Sequence, residues 1–250
     1  MKPTRTHFQQ AALGSLALLT CLASGSSLAD CASQEVLGTS RTLLLKREAA
    51  AYGTAQHQAL ALQPHEVVIT FDDGPRPEST PQVLAALKAQ CVRATFFMNG
   101  EPLDQHRSLA QQVRAEGHSV GMHGYQHLAF GKLPAAEQLT DLKAMQEAYQ
   151  TVFGVAAAAY RFPYLAETPT LIDALKAQQI TVMSMDVGMD DWLPDQSPQI
   201  LAERLTERLS PGQGGILLLH DAQDQTAQAL PLLLQTLKTQ GYQVVHLEWQ

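Results

Sequence analysis

Seven apolar runs of strand length recur from residue 66 onward, at 66–71, 91–97, 118–123, 157–162, 180–185, 215–219 and 242–247. Six amphipathic stretches separate them. Regular alternation of this kind leaves few solutions, because a crossover that holds a helix brings the next strand back parallel to the last, and each helix has to bury its apolar stripe against the strands. The fold class is therefore α/β, either an open doubly wound sheet or a closed barrel with seven strands. At 250 residues and 45% hydrophobic content the chain can bury such a core.

The intervening helices carry start and stop signals. Thr80-Pro81, Thr168-Pro169 and Ser197-Pro198 each place a capping hydroxyl ahead of a proline whose missing N–H costs nothing in a first turn. Gly117, Gly154 and Gly241 stand where such helices stop. After Pro134, the residues Leu139, Leu142, Met145, Tyr149 and Val152 fall on one stripe; after Pro198, Ile200, Leu201, Leu205 and Leu209 do the same. Both stripes are expected to face the core.

Ahead of the alternation, Lys2 and Arg5 precede an apolar stretch over 11–23 and the small-residue site Ser27-Leu28-Ala29, which reads as a secretory signal over 1–29, too short for a membrane anchor. Residues 30–63 hold little periodicity beyond Leu43-Leu44-Leu45 and are expected to pack as an N-terminal extension on a single catalytic domain over 64–250. Two of the 17 basic residues leave with the signal, so 15 face 24 acidic ones and the net charge is −9. That balance disfavours nucleic acid and anionic lipid as partners. Cys31 and Cys91 remain as an even pair, which in an exported chain permits one disulfide. The expectation is a periplasmic or secreted monomer with no membrane insertion once the signal is cleaved.

Polar clusters follow the predicted strands at the end where parallel α/β folds place their sites. Asp72 and Asp73 follow the first run, His123 and His127 the third, Arg161 and Tyr164 the fourth, Asp186 to Trp192 the fifth, and His220-Asp221 the sixth. Adjacent carboxylates at a buried strand tip are tolerable when they share a cation or move a proton. Asp73 with two imidazoles makes a three-ligand set that leaves a coordination position open, as catalytic rather than structural zinc sites do. Asp72 is then the candidate base, held by Arg161 through a two-pronged ion pair. Asp191 is placed to raise the His220 imidazole and make it a general acid, and Trp192 to wall the cleft against a methyl group or sugar ring.

These motifs, Thr70-Phe71-Asp72-Asp73-Gly74-Pro75, His123 to His127, Arg161-Phe162-Pro163-Tyr164, Asp191-Trp192 and Leu217-Leu218-Leu219-His220, stand in the order found in carbohydrate esterase family 4, and residues 64–247 resemble its metal-dependent polysaccharide deacetylases. The resemblance implies a distorted (β/α)7 barrel and one divalent ion, zinc or else cobalt or a similar metal, on Asp73, His123 and His127. It also implies base Asp72, acid His220, Arg161 positioning the base, Asp191 tuning the acid, and the Tyr164 N–H assisting at the oxyanion. The implied reaction is removal of N-acetyl groups from a peptidoglycan or chitin-like carbohydrate. An O-acetyl esterase and an inactive glycan-binding homologue are the alternatives.

Three positions depart from the family pattern. Gly124 replaces the Ser or Thr that usually follows the first histidine, so a hydroxyl bracing the metal loop is missing and weaker metal affinity is expected. Leu165 stands where Gly often follows the third motif. The loop from Asp186 to Trp192 is longer than usual, which makes Asp190 a competitor of Asp191.

Overall fold

The structure, a computed structural model, describes residues 35–209 and 213–250 together with Met1 and Cys31. Apart from Met1, the signal expected over 1–29 lies outside the described residues. Each expected run contains a strand: β3 (Glu66–Asp72), β4 (Thr95–Met98), β5 (Ser119–Met122), β6 (Ala159–Tyr160), β7 (Thr181–Met183), β9 (Gly215–His220) and β10 (Gln243–Trp249). Three more were not expected: β1 (Thr39–Leu45), β2 (Ala51–Tyr52) and β8 (Val187–Gly188). The segment expected to lie outside the barrel thus contributes two strands to its sheet. The second run starts late because Cys91 sits at φ 53°, which turns the chain before the ladder begins.

All ladders are parallel, in the order β2-β7-β6-β5-β4-β3-β9-β8. Along the edge of β3 shared with β4, the first two residues pair instead with β10, which carries β1 on its far side. The expected closed ring is not closed by a ladder. The free edge of the short β7 is taken by β2, and the seam toward β8 is bridged by the Ala55 N–H on Met185 O and by Thr54 on Asp186. The architecture is a distorted, open-seamed β/α barrel.

Alternation within strands decides which side chains reach the interior. Val68 of β3, Phe97 of β4, Ala159 of β6, Met183 of β7 and Ile216 of β9 form one buried inner layer, joined by Leu45, Leu60, Val245 and Leu247. Their neighbours Val67, Ile69, Phe71, Phe96, Leu217 and Leu219 face the helices in the larger core. Two residues further along β3 and β9, in register, the inward positions are Thr70 and Leu218, then Asp72 and His220. The period of two that builds the barrel core therefore delivers the candidate base and acid side by side at its upper rim.

The helices depart from expectation in detail. Thr168 and Ser197 cap as expected, accepting from the N–H groups of Leu171 and Ile200. Helix Thr80–Ala89 begins after Ser79, and the Thr80 hydroxyl instead accepts from Arg76 N–H and donates to Asp221. In helix Ala135–Phe153 the buried face includes Gln138 and Asp141, while Leu139 is 43% exposed; in helix Pro198–Arg208, Ile200 is exposed and Leu201 and Leu205 are buried. In helix Ala135–Phe153 the two buried polar side chains are met by loop groups: Gln138 by Phe130 O, Leu133 O and the Thr168 hydroxyl, and Asp141 by the N–H groups of Tyr125 and Gln126.

Candidate active site

Arg161, just beyond β6, is fully buried inside the barrel mouth with its guanidinium 4.3 Å above the Phe97 ring. Its Nη1 donates to Asp72 Oδ1 at 2.8 Å and to Thr70 Oγ1 at 2.7 Å; Nη2 and Nε donate to the carbonyls of Ser184 and Met183. The expected two-pronged pair is thus a single charge-assisted bond. A guanidinium lying flat on an aromatic face spends its remaining donors on the backbone at the end of β7, and this fixes its position. Thr70 in turn donates to Leu217 O, so Asp72 hangs from a network that spans three strands.

Asp73 leaves the strand at φ 77°, which breaks the alternation and brings its carboxylate to the same rim as Asp72. Its Oδ1 lies 3.5 Å from His123 Nε2 and 3.3 Å from His127 Nε2. That oxygen is buried and, among the described residues, has no hydrogen-bond partner. His123 Nδ1 is 2.9 Å from Arg161 O; donation there leaves Nε2 with its lone pair turned toward Asp73. Burial, and then the neighbouring His123, hold His127 below the usual imidazole range, in spite of the opposing charges of Asp73 and Asp72. One ligand atom from each of Asp73, His123 and His127 lies within 4.8 Å of the others. An unpartnered buried carboxylate oxygen facing two imidazole nitrogens is a donor set that fits a divalent cation with an open position.

On the opposite side, His220 Nδ1 lies 2.8 Å from Asp191 Oδ1, while Asp191 Oδ2 accepts from the His220 N–H and the Thr226 hydroxyl. Burial works against the imidazolium. The hydrogen bond and charge of Asp191, with the charges of Asp72 and Asp73, outweigh it and push His220 up to about 9. Asp190, the competing carboxylate, pairs instead with Arg208 at 2.5 Å.

Asp72, Asp73, His123, His127, Asp190 and His220 open on one cavity of about 380 Å³, which Arg161 and Asp191 do not line. Its walls are apolar: Phe162, Leu165, Met185, Met189 and Leu218 line it, with Tyr164 and Trp192 exposed at the mouth. Tyr164 and Leu165 sit at φ 58° and 54°, so the glycine usual at position 165 is matched here by a leucine in the same left-handed region. The Tyr164 ring packs edge-on against His127. Among the described residues the Tyr164 N–H has no acceptor.

Beyond Arg161 and Asp191, three further groups that hold the site were not identified from the sequence. Asp221 is buried, accepts from Gly74 N–H and the Thr80 hydroxyl, and is pushed up to about 7 by burial and then by the charges of Asp73 and Asp72. Asn99 donates to His123 O at 2.6 Å, and Asp141 accepts from the N–H groups of Tyr125 and Gln126. Asp221 had a signal in its place beside His220; Asn99 and Asp141 had none. Elsewhere, Cys31 and Cys91 are joined as a disulfide.

Residues 60–183 match the family model described as polysaccharide deacetylase. The chain is 31% identical over 225 residues to a chitin deacetylase of Colletotrichum lindemuthianum, covering 86% of this chain and 90% of that protein. It is 29% identical over 199 residues to the peptidoglycan-N-acetylmuramic acid deacetylase PdaC of Bacillus subtilis, covering 76% of this chain but only 41% of that protein. Among solved structures, a peptidoglycan deacetylase of Bdellovibrio bacteriovorus superposes with a TM-score of 0.76 at 28% identity, covering 87% of this chain and 61% of that one.

Proposed function

The chain belongs to the polysaccharide deacetylase family, and on that premise we propose that it hydrolyses N-acetyl groups on an extracytoplasmic polymer or oligomer of N-acetylhexosamine. The observation that carries this reading is the arrangement around Asp73 Oδ1: an unpartnered oxygen facing two imidazole nitrogens, with a tethered carboxylate on one side and a tethered imidazole on the other. Asp73, His123 and His127 would hold a divalent ion, zinc in this proposal, which when bound would supply Lewis acidity toward an acyl oxygen and acidify water. Asp72, fixed by Arg161, accepts the proton of the water that attacks the acetyl carbon. The Tyr164 N–H donates to the oxygen that becomes negative. His220, protonated through its pairing with Asp191, then delivers a proton from Nε2 to the sugar nitrogen as the C–N bond breaks, giving acetate and a free amine.

The apolar walls suit the acetyl methyl, and Tyr164 and Trp192 at the mouth offer flat faces to sugar rings. The disulfide and the signal-like N-terminus support export, and none of the helices among the described residues is long and apolar enough to cross a membrane. We read the exported protein as a monomer.

Acetate release from N-acetylglucosamine oligomers, peptidoglycan and acetylated xylan, with and without chelator and added zinc, tests the reading. Release from the N-acetylated glycans, lost on chelation and restored by zinc, is expected. Asp72→Asn and His220→Ala are each expected to lower it about 100-fold or more while zinc stays bound. Near wild-type turnover in either variant, or release from xylan alone, would overturn the assignment.

A further inference from the structure

The turn from His123 to His127 lacks the hydroxyl that usually follows its first histidine, and the backbone at that position disfavours a side chain. Gly124 adopts φ +73°, and a Cβ there would stand 3.2 Å from Pro163 Cγ and 3.4 Å from both Asp141 Oδ2 and Phe130 Cζ. A side chain at 124 would have to be held in a left-handed conformation inside a crowded pocket.

The turn is nonetheless held from two sides. Its carbonyls are met by the segment after β4: Asn99 Nδ2 donates to His123 O, and the N–H groups of Gly100 and Glu101 donate to the carbonyls of Gly124 and Tyr125. Its N–H groups are met by one side chain. Asp141, buried on helix Ala135–Phe153, accepts from Tyr125 N–H through Oδ2 at 2.8 Å and from Gln126 N–H through Oδ1 at 3.1 Å. Both bonds fall on the two residues between Gly124 and His127. His127 itself is held at φ 53°, a conformation that a loosened turn would leave.

We propose that Asp141 is a positioning residue for the metal: its carboxylate clamps two consecutive N–H groups of the histidine turn and so takes the bracing role of the missing hydroxyl. Asp141 touches neither the reacting atoms nor the metal ligands' ring nitrogens; it acts through the backbone that sets the His123–His127 separation. This rests on the metal-site reading above. Removing the clamp leaves two N–H groups without their acceptor and frees His127 to relax away from Asp73.

The test is zinc affinity of the whole protein, measured by competition with a chromogenic chelator, for wild type, Asp141→Ala and Asp141→Asn. Loss of a hydrogen-bonding partner behind a ligand weakens metal binding about 10- to 100-fold, and that range is expected for Asp141→Ala. Asp141→Asn keeps one acceptor oxygen and turns an N–H donor toward the other amide, so it should fall between the two. At saturating zinc, kcat of both variants should return to within about threefold of wild type, which a general loss of structure would not allow. Zinc affinity within twofold of wild type in a folded Asp141→Ala protein would overturn the proposal. If that variant does not fold, unchanged affinity in Asp141→Asn does the same. Wild type that binds zinc but releases no acetate would overturn the deacetylase reading and leave this one standing.

Discussion

At the residue scale, the informative contrast is between Asp72 and Asp73, adjacent in sequence and different in surroundings. Asp72 has a guanidinium at 2.8 Å; Asp73 Oδ1 has only two imidazole nitrogens. Strand alternation alone would have sent them to opposite faces, and the left-handed φ of Asp73 is what reunites them. The pair was legible in the sequence because like charges at a strand tip call for a cation or a proton. Arg161, which holds Asp72, was legible too; the groups that fix Arg161 and the histidine turn were not, since Thr70, Ser184 and Asn99 are ordinary residues until the fold brings them close. The His220–Asp191 pair carries a pH prediction. In the proposed mechanism His220 can act as an acid only while protonated, and its raised pKa of about 9 keeps it so across neutral pH. The kcat/KM profile of acetate release should therefore fall as pH rises through about 9. Asp191→Asn removes both the hydrogen bond to the imidazolium and the adjacent charge, so its alkaline limb should move to lower pH. An unmoved limb would mean that another group governs it.

At the scale of elements, the seven strands from β3 to β7, β9 and β10 announced themselves, because buried parallel strands sit in continuous apolar runs even where, as in β6, the ladder is only two residues long. The other three did not. β2 and β8 have two residues each, and β1 is a half-exposed edge strand whose burial follows no clean period. Yet β2 begins the strap that touches the site. Beyond it, Gln56 Nε2 donates to Leu165 O at 2.8 Å and Gln56 Oε1 accepts from the Ser184 hydroxyl at 2.7 Å. Ser184 O is also an anchor of Arg161, and Leu165 closes a turn in which two consecutive non-glycine residues are left-handed, at about 1 kcal/mol or more each. Gln56 therefore supports the loop that presents the Tyr164 N–H. Gln56→Leu keeps the stem but loses both bonds, and a net hydrogen bond of about 1 kcal/mol corresponds to roughly a fivefold fall in kcat. Zinc affinity should not change, because the strap does not touch the histidine turn. A variant that lost zinc and kept kcat at saturating metal would place the strap's influence elsewhere.

For the whole molecule, the question is what keeps that strap in place when the family match begins only at residue 60. Three attachments do so: β1 lies along β10, β2 pairs with β7, and Cys31 is bonded to Cys91, across a sequence separation of 60. Backbone bonds from Gly38 to Gln90 O and from Thr39 to Cys91 O reinforce the third near the end of helix Thr80–Ala89. The even cysteine count made the pairing possible on paper, but only the folded path of 35–58, from the helix end across to the seam, shows what it secures. Closing a loop of this length restricts the unfolded chain, and such a bond typically contributes about 2–4 kcal/mol. Cys31→Ser with Cys91→Ser should therefore lower the urea midpoint and steepen the slope, since the unfolded chain without the cross-link exposes more surface. Because β1 and β2 retain their ladders, acetate release at 25 °C should survive within about twofold. Early loss of activity, ahead of global unfolding, would instead show that the disulfide holds the strap on the seam and that the strap, through Leu165 and Ser184, holds the mouth of the barrel.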